Sequence, residues 1–431
     1  MPLHPHRLLI AACIAAVLVP SVAQAADVAK EKTLSITSLY PYRFASPRKD
    51  SLSAATTHAR GEIEWSRPLD VAEDGGPAAL LLWQDRVVVD AAGAALVYAT
   101  DGRLLWKRPK LGRMPVAIAN DSLNLVSALR ELESYDIENR ARRAAVPLSV
   151  LVTDGFQLNL LWPQAEDFMA SAYIPRPTFD VEDRRKPAPQ PKLMVGRTVY
   201  GKTMPAWVEG FKGALKLPPL YDPASREWLV GYDQIRVLDA AGGQPLASFA
   251  LPVATPSGWS LDSQGSVCVA GLDAAGYKTV VTLGNRGARQ WAWTDSDPGA
   301  DDPWSADQPP IRVAPGRVIM LTQGRVLAID AGLLVWTYDA RSDGLRHGAS
   351  TTDGSFEVAD GRLKSTERLR YGTALADGSV LVTGRRSLRH IDAQGRRLFS
   401  LSLPEEAVAP PVVDATGHVY VATAKALYRI R

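Results

Sequence analysis

The sequence contains Tyr98-Ala-Thr-Asp-Gly-Arg-Leu-Leu-Trp-Lys-Arg-Pro, whose glycine and the tryptophan four residues later recur along the chain. The recurring pairs are Gly61 and Trp65, Gly102 and Trp106, Gly287 and Trp291, Gly332 and Trp336, and Gly395 and Phe399, with a degenerate copy at Gly243 and Ala247. Trp65 and Trp106 are 41 residues apart, and Trp291 and Trp336 are 45 apart. A period of about 40 to 50 residues is typical of four-stranded β-propeller blades.

A second motif supplies the other half of each repeat. It is a glycine followed by a β-branched or apolar run, in Gly265-Ser-Val-Cys-Val, Gly316-Arg-Val-Ile-Met, Gly378-Ser-Val-Leu-Val and Gly417-His-Val-Tyr-Val. Such runs favour strands, and the glycine allows the preceding turn to adopt positive φ. Between the two motifs, Asp239-Ala-Ala-Gly, Asp330-Ala-Gly and Asp392-Ala-Gln-Gly are typical of hairpin turns. The sequence therefore predicts an all-β propeller of four-stranded blades.

The repeats also predict the number of blades. We expect outer strands near Trp106, near Ala144, before Leu217, and near Ala247, Trp291, Trp336, Phe399 and Trp65. That makes eight blades, with seven as the alternative if the third is incomplete. The last segment, from Pro410 to Arg431, stops before any strand of the Gly-x-x-x-Trp type. A strand near 61–69 would complete that blade and close the ring, which removes an open sheet edge.

The rest of the chain is divided around this domain. Residues 1–25 have the features of a secretory signal, with Arg7, an apolar run and small residues before a cleavage site after Ala25. Residues 26–60 are expected to be a poorly structured leader. Residues 61–431 form one propeller with insertions near 155–215 and 341–370. The predicted product is a periplasmic monomer without a transmembrane segment; lipidation at Cys13 is the less favoured alternative, because the stretch before it is very short.

Charge and cysteine content narrow the function. The 49 basic and 46 acidic side chains leave a formal net charge of +3, which disfavours nucleic acid as a partner. Once the signal is removed, Cys268 is the one remaining cysteine, so no internal disulfide can form. Cys268 lies in an apolar strand-like run, and we interpret it as a core residue.

The combined motifs resemble the PQQ-like β-propeller repeat, a WD40-like ring found in quinoprotein dehydrogenases and in the periplasmic propeller of the outer-membrane barrel assembly machine. The best matches are the stretch quoted above and Pro411-Val-Val-Asp-Ala-Thr-Gly-His-Val-Tyr-Val. The resemblance covers Gly61 to Pro109 and Pro218 to Arg431, and the middle only by its period. It implies that Trp65, Trp106, Trp291 and Trp336 pack between blades. Quinoprotein alcohol dehydrogenases have an adjacent cysteine pair beside the quinone, which this chain lacks, so no quinone site carries over.

An acidic loop is a weak candidate for calcium. It contains Asp295, Asp297, Asp301, Asp302 and Asp307. Calcium takes six to eight oxygen ligands, but Pro298 and the missing bidentate glutamate break the EF-hand pattern, so a solvated loop between blades is the preferred interpretation. No catalytic motif appears in a suitable context, and nothing in the sequence orients His347 as a general base.

The insertion near 155–215 is the candidate binding region. It contains aromatic and arginine side chains of the kind that protein interfaces favour, including Trp162, Phe168, Tyr173, Arg176 and Trp207. A third blade that buries its own aromatic residues explains them equally well. The sequence as a whole favours a non-catalytic periplasmic scaffold that binds an envelope protein and carries no cofactor. The alternative is a divergent quinoprotein-like oxidoreductase, lyase or hydrolase with its site in the central channel.

Overall fold

A computed structural model describes most of the chain from residue 55 onward. The described residues are 55–69, 77–112, 116–119, 121–129, 131–147, 157–164, 167–173, 192–199, 206–212, 216–222, 224–262, 264–296, 302–305, 308–314, 316–341, 356–359, 362–365 and 368–431. For the described strands between 157 and 199 and between 356 and 365, the structure describes the backbone only. Among the described residues, no helix combines the length and hydropathy needed to span a membrane.

The first half of the described chain contains seventeen strands. They are β1 (Ile63–Pro68), β2 (Pro77–Trp83), β3 (Arg86–Ala91), β4 (Ala94–Ala99), β5 (Leu104–Pro109), β6 (Ala117–Ala119), β7 (Ser122–Val126), β8 (Glu131–Asp136), β9 (Arg142–Pro147), β10 (Gln157–Gln164), β11 (Asp167–Tyr173), β12 (Lys192–Val199), β13 (Trp207–Lys212), β14 (Leu217–Asp222), β15 (Glu227–Gly231), β16 (Gln234–Asp239) and β17 (Pro245–Ala250).

The second half contains seventeen more strands and a short 3-10 turn at Asn285–Gly287. The strands are β18 (Thr255–Leu261), β19 (Val267–Leu272), β20 (Lys278–Leu283), β21 (Arg289–Thr294), β22 (Ile311–Ala314), β23 (Arg317–Leu321), β24 (Arg325–Asp330), β25 (Leu333–Asp339), β26 (Phe356–Ala359), β27 (Arg362–Ser365), β28 (Tyr371–Ala374), β29 (Val380–Thr383), β30 (Ser387–Ile391), β31 (Arg397–Ser402), β32 (Val412–Val413), β33 (Val419–Ala422) and β34 (Ala426–Ile430).

These strands form a β-propeller of four-stranded antiparallel blades. Among the described residues, seven sheets each use four consecutive strands, and we number them blades 1 to 7 in chain order: β2–β5, β6–β9, β10–β13, β14–β17, β18–β21, β22–β25 and β28–β31. The repeats predict eight blades, with seven as the alternative; the described residues show seven blades built from consecutive strands. A further four-stranded sheet, which we call the composite sheet, has the order β1-β34-β33-β32 and joins the two ends of the chain. Strands β26 and β27 form a separate hairpin within the 341–370 insertion.

Burial explains the residue types within a blade. The middle strands are buried along their whole length, as in β29 and β30 of blade 7, because neighbouring blades cover both faces of each sheet. The outer strand β31 instead alternates between exposed and partly buried residues. Apolar runs that include β-branched residues therefore mark inner strands, and the alternating pattern marks the outer edge.

Each signature aromatic residue follows a β-bulge in an outer strand. Leu105 is the extra residue before Trp106 in β5, and Val335 is the extra residue before Trp336 in β25. The same irregularity precedes Trp291 and Phe399. A bulge bends the strand and increases its twist. In this propeller it accompanies the turn of each aromatic side chain toward the next blade.

These aromatic side chains connect one blade to the next. Trp336 of blade 6 lies against Gly395 of blade 7, and its Nε1 donates a hydrogen bond to the Ala393 carbonyl at 2.9 Å. Trp106 of blade 1 donates in the same way to Ile137 of blade 2 at 3.2 Å. The packing role expected for the four signature tryptophans is confirmed, since each belongs to a core cluster between sheets.

The glycine beneath such a ring has no room for a side chain. Gly243 has a φ of 68°, and a Cβ there would lie 2.4 Å from Trp207 Cδ2. We expect Gly243→Ala to lower the free energy of unfolding by about 2–4 kcal/mol, because the clash adds to the positive-φ cost. The matched control is Gly93→Ala: Gly93 has a φ of 78°, but no atom lies within 4 Å of its Cβ position. Urea unfolding of both variants checks this, and equal losses would contradict it.

The end of the leader packs on the propeller. Thr57 is buried, and its hydroxyl donates to the Gly417 carbonyl in the composite sheet at 2.7 Å. The Ala376 amide of blade 7 donates to the Ala55 carbonyl at 3.2 Å. These contacts hold Ala55 and Thr57 against blade 7 and the composite sheet.

Candidate functional site

The outer strand of blade 6 exposes a continuous apolar run. Leu333, Leu334 and Val335 at the start of β25 are 74%, 46% and 51% exposed. The hydrogen bond from Trp336 to blade 7 fixes the strand immediately after them. Three successive exposed aliphatic side chains on one strand are a candidate interaction site. We call these three residues the blade 6 edge.

The blade 6 edge also lacks the protection that the other outer strands have. Exposed sheet edges are usually blocked by charged residues or proline, because unpaired strands associate. In the described structure every other outer strand contains arginine, lysine or proline: Arg67 and Pro68, Lys107 to Pro109, Arg142 and Pro147, Lys212, Pro245, Arg289 and Arg397. Strand β25, with the sequence Leu-Leu-Val-Trp-Thr-Tyr-Asp, contains none of them. Its charged residue is Asp339 at the end of the strand, away from the three exposed aliphatic residues at the start.

The candidate residues of the 155–215 insertion lie in and around blade 3. Trp162 belongs to β10, Phe168 and Tyr173 belong to β11, and Arg176 lies outside the described residues. Trp207 begins the outer strand β13. It is buried beside Gly243, and its Nε1 donates to the Ala240 carbonyl of blade 4 at 2.9 Å. This placement makes Trp207 the signature aromatic of blade 3, which favours packing over partner binding for this residue.

The acidic loop brings two of its candidate calcium ligands against cationic side chains. Asp295 and Asp302 are buried, while Asp297 and Asp301 lie outside the described residues. Arg325 Nε lies 2.6 Å from Asp302 Oδ2, and Lys278 Nζ lies 3.5 Å from Asp295 Oδ2. Burial by itself would lower the pKa of Arg325, but its hydrogen bond to Asp302 and the two carboxylate charges raise that pKa.

This arrangement does not fit a calcium site. Both oxygens of Asp302 already accept hydrogen bonds, one from the Thr322 hydroxyl at 2.6 Å and one from the Gly324 amide at 2.7 Å. A divalent ion would have to displace Arg325. It would then lie beside Lys278 and Arg341, which are also positively charged. Among the described residues, no group of three histidine, cysteine, aspartate or glutamate side chains could hold a metal.

A serine and a histidine also meet in blade 7. His390 Nε2 lies 2.8 Å from Ser379 Oγ, and the Ser379 hydroxyl donates to Asp377 Oδ1 at 2.6 Å. The single hydroxyl proton is thus directed to the carboxylate, so the imidazole donates to the serine and does not activate it. Burial lowers the pKa of His390, with Asp377 and Asp392 acting in the opposite direction. Both side chains are buried, so the pair stabilises the blade.

Cys268 is the buried core residue that the sequence predicts. It is fully inaccessible in β19, and burial raises its pKa to about 11. The side chain is therefore a thiol at neutral pH and cannot act as an exposed nucleophile. His347, the other residue considered for catalysis, lies outside the described residues.

The fold is similar to those of several solved structures. BamB from Moraxella catarrhalis aligns with a TM-score of 0.53 at 13% identity, over 85% of this chain and 96% of that one. The quinohemoprotein alcohol dehydrogenase from Comamonas testosteroni aligns with a TM-score of 0.57 at 11% identity, over 97% of this chain and 83% of that one. The quinohemoprotein alcohol dehydrogenase ADHIIG from Pseudomonas putida HK5 aligns with a TM-score of 0.58 at 11% identity, over 90% and 80%.

These similarities support the PQQ-like propeller fold that the motifs predict, and at such identities they establish the fold alone. No family model and no curated protein sequence matches this chain. The two kinds of neighbour do not distinguish a scaffold from a dehydrogenase. That choice depends on the residues of this chain.

Proposed function

We propose that this chain is a non-catalytic periplasmic β-propeller that binds a protein of the cell envelope. The observation that carries the proposal is the blade 6 edge, where Leu333, Leu334 and Val335 are exposed on a strand without arginine, lysine or proline. An exposed apolar run lowers solubility unless a partner covers it. Single exposed aliphatic side chains also occur on other outer strands, such as Leu398 at 58%, but among the described outer strands three in succession occur on β25 alone, which favours binding over general composition.

The proposal includes a closed ring of eight blades, in which the composite sheet is the eighth. Two groups of contacts support it. Strand β1 pairs with β34 from Ile63 opposite Ile430 to Pro68 opposite Ala426. Arg67 of β1 then donates to the Gly102 carbonyl of blade 1 at 3.1 Å, beside the Trp65 ring. A closed ring would present the blade 6 edge on a rigid body, which lowers the entropy cost of binding.

Export and the absence of a cofactor are further parts of the proposal. If the signal is removed after Ala25, the protein recovered from the periplasm begins at Ala26, which N-terminal sequencing tests. Reconstitution with pyrroloquinoline quinone and Ca²⁺, followed by spectroscopy and a dye-linked assay on alcohols and sugars, tests the enzymatic alternative. Bound quinone with turnover would replace the scaffold by an oxidoreductase, and no binding supports the scaffold.

The binding test compares two changes of the apolar surface. We expect the double variant Leu333→Ser and Val335→Ser to lose a protein that the wild type retains from envelope extract, with affinity reduced by on the order of tenfold or more, because the anchor contacts disappear. The matched control is Leu398→Ser, since Leu398 is 58% exposed at the equivalent bulge of blade 7. Retention by the control and loss by the double variant support the proposal. Equal retention by all three proteins would overturn it.

A further inference from the structure

Blade 7 concentrates positive charge. Residues 368–403 contain seven arginines, two aspartates, and no lysine or glutamate, which gives this segment a net charge of +5. The whole chain carries +3, so the rest of the molecule is net negative by two charges. The near-neutral total therefore hides a local excess of arginine on one blade. Such a charge difference produces a local field that attracts an anionic partner.

Four of these arginines meet at one end of the blade. The Arg370 amide donates to the Thr383 carbonyl at 2.9 Å, which places the start of β28 beside the end of β29. The turn after β29 contains Arg385 and Arg386, and the Leu403 amide donates to the Arg386 carbonyl at 2.9 Å. We call Arg368, Arg370, Arg385 and Arg386 the basic end of blade 7. Arg368, Arg385 and Arg386 are exposed there.

Of the two described glutamates that follow blade 7, one pairs within the basic end and the other pairs outside it. Glu406 pairs with Arg370, and Glu405 lies 3.4 Å from Lys425 Nζ and accepts a hydrogen bond from the Thr423 hydroxyl at 3.0 Å. On the side of blade 6, the Leu369 amide donates a hydrogen bond to the Gln323 carbonyl at 2.7 Å. Arg325, two residues after Gln323, pairs with Asp302. Of these two described glutamates, only Glu406 pairs with a member of the basic end, and the side chains of Arg368, Arg385 and Arg386 are exposed.

We propose that the basic end of blade 7 binds an acidic segment of a protein partner. Guanidinium groups bind carboxylates through two parallel hydrogen bonds, and arginine is favoured over lysine at protein interfaces. All seven cations of the blade are arginine. Glu405 and Glu406 border the site, and the remainder of the chain is net negative. A broad anionic membrane surface would also approach Glu405, Glu406 and the net-negative rest of the chain, which would repel it. A narrow acidic segment could contact the arginines alone.

The test uses a fluorescent glutamate-rich peptide and the mature full-length protein. We expect saturable binding that weakens as salt is added, because the contacts are between exposed charges. The double variant Arg368→Ser and Arg386→Ser should reduce affinity by on the order of tenfold. The matched control is Arg396→Ser with Arg397→Ser, which makes the same charge change at the opposite end of the blade. Arg396 is mostly exposed and pairs with Asp392.

The outcomes distinguish a specific site for an acidic segment from binding by net charge and from binding to a membrane. Loss in the first variant and a change of less than about twofold in the control support the acidic-segment site. Equal losses would mean that net charge alone binds the peptide, and no peptide binding with binding to phosphatidylglycerol vesicles would mean a membrane contact; either overturns the proposal. The inference extends the proposed scaffold function, but the two fail separately. If the blade 6 edge variant loses its partner but the wild type binds no acidic peptide, the scaffold function stands and the basic end is not a binding site.

Discussion

Trp259→Ala is expected to lower the free energy of unfolding by about 3–5 kcal/mol, the range observed when a large buried aromatic is truncated. Trp259 lies in β18, the inner strand of blade 5, and is fully buried. Its Nε1 donates to the Pro218 carbonyl of blade 4 at 2.6 Å, and its ring packs against Gly231. The substitution removes both a blade contact and a hydrogen bond. Urea unfolding at neutral pH measures the loss.

Two controls separate packing from the hydrogen bond. Trp259→Phe keeps most of the buried area but leaves the Pro218 carbonyl without its donor, so we expect a loss of about 1–2 kcal/mol. Leu398→Ala at an exposed outer position should change the stability by less than about 0.5 kcal/mol. A Trp259→Ala loss no larger than that of Leu398→Ala would contradict the inter-blade role of this side chain.

Lys110→Met is expected to cost about 3–5 kcal/mol at neutral pH, because it leaves a buried carboxylate without its counter-charge. Lys110 Nζ lies 3.0 Å from Asp90 Oδ1 in blade 1, and both side chains are almost completely buried. The Val116 amide donates to Asp90 Oδ2 at 3.2 Å. Burial raises the pKa of Asp90, while the charge of Lys110, its hydrogen bond to Asp90 and the hydrogen bond from the Val116 amide act to lower that pKa. Removing Lys110 therefore raises that pKa further.

The pH dependence of the Lys110→Met variant follows from this shift. A carboxyl whose pKa is higher in the folded than in the unfolded state binds protons preferentially when folded. The penalty is therefore full above the folded pKa and decreases as the pH falls toward the unfolded value. We expect the difference between wild type and variant to shrink from neutral to acidic pH. A difference that is constant with pH would contradict this assignment.

A double variant distinguishes a buried charge from a simple loss of packing. Asp90→Leu with Lys110→Met replaces the pair by apolar side chains of similar size. Such replacements are often neutral or stabilising, because the desolvation cost of both ions disappears. We expect the double variant to recover most of the loss of Lys110→Met. If the two losses add, the pair contributes through its shape and not through its charges.

The repeats predict the blades well because their signals are local. Each Gly-x-x-x-aromatic pair lies within one hairpin, and its bulge and turn are properties of adjacent residues. The order of strands and the sheet that joins β1 to β34 could therefore be anticipated from Gly61, Trp65 and the end of the chain. The motifs do not locate the outer strand of blade 3, because the segment from Asp154 to Leu217 carries an insertion rich in proline and charge and Trp207 lacks the glycine four residues before it.

The candidate sites were less predictable, because they depend on residues from different strands. Asp295 and Asp302 have the composition of a metal site in sequence, but Arg325 reaches them from a strand more than twenty residues away. The run Leu333 to Val335 looks like part of the blade signature. Its distinguishing feature in sequence was the apolar Leu333, three residues before the aromatic, where blades 1 and 7 have Arg103 and Arg396.

The all-β class, the blade period, the buried Cys268 and the inter-blade role of the signature tryptophans can be predicted from local patterns, because turn chemistry and strand burial are encoded over a few residues. Which side chains are exposed and which charges are paired follows only from the folded arrangement of the blades. Burial and ion pairing depend on the neighbouring blades, which bring Lys110 to Asp90, cover Trp207 and leave the blade 6 edge open. No local pattern contains that information, since the neighbour across an interface comes from another repeat.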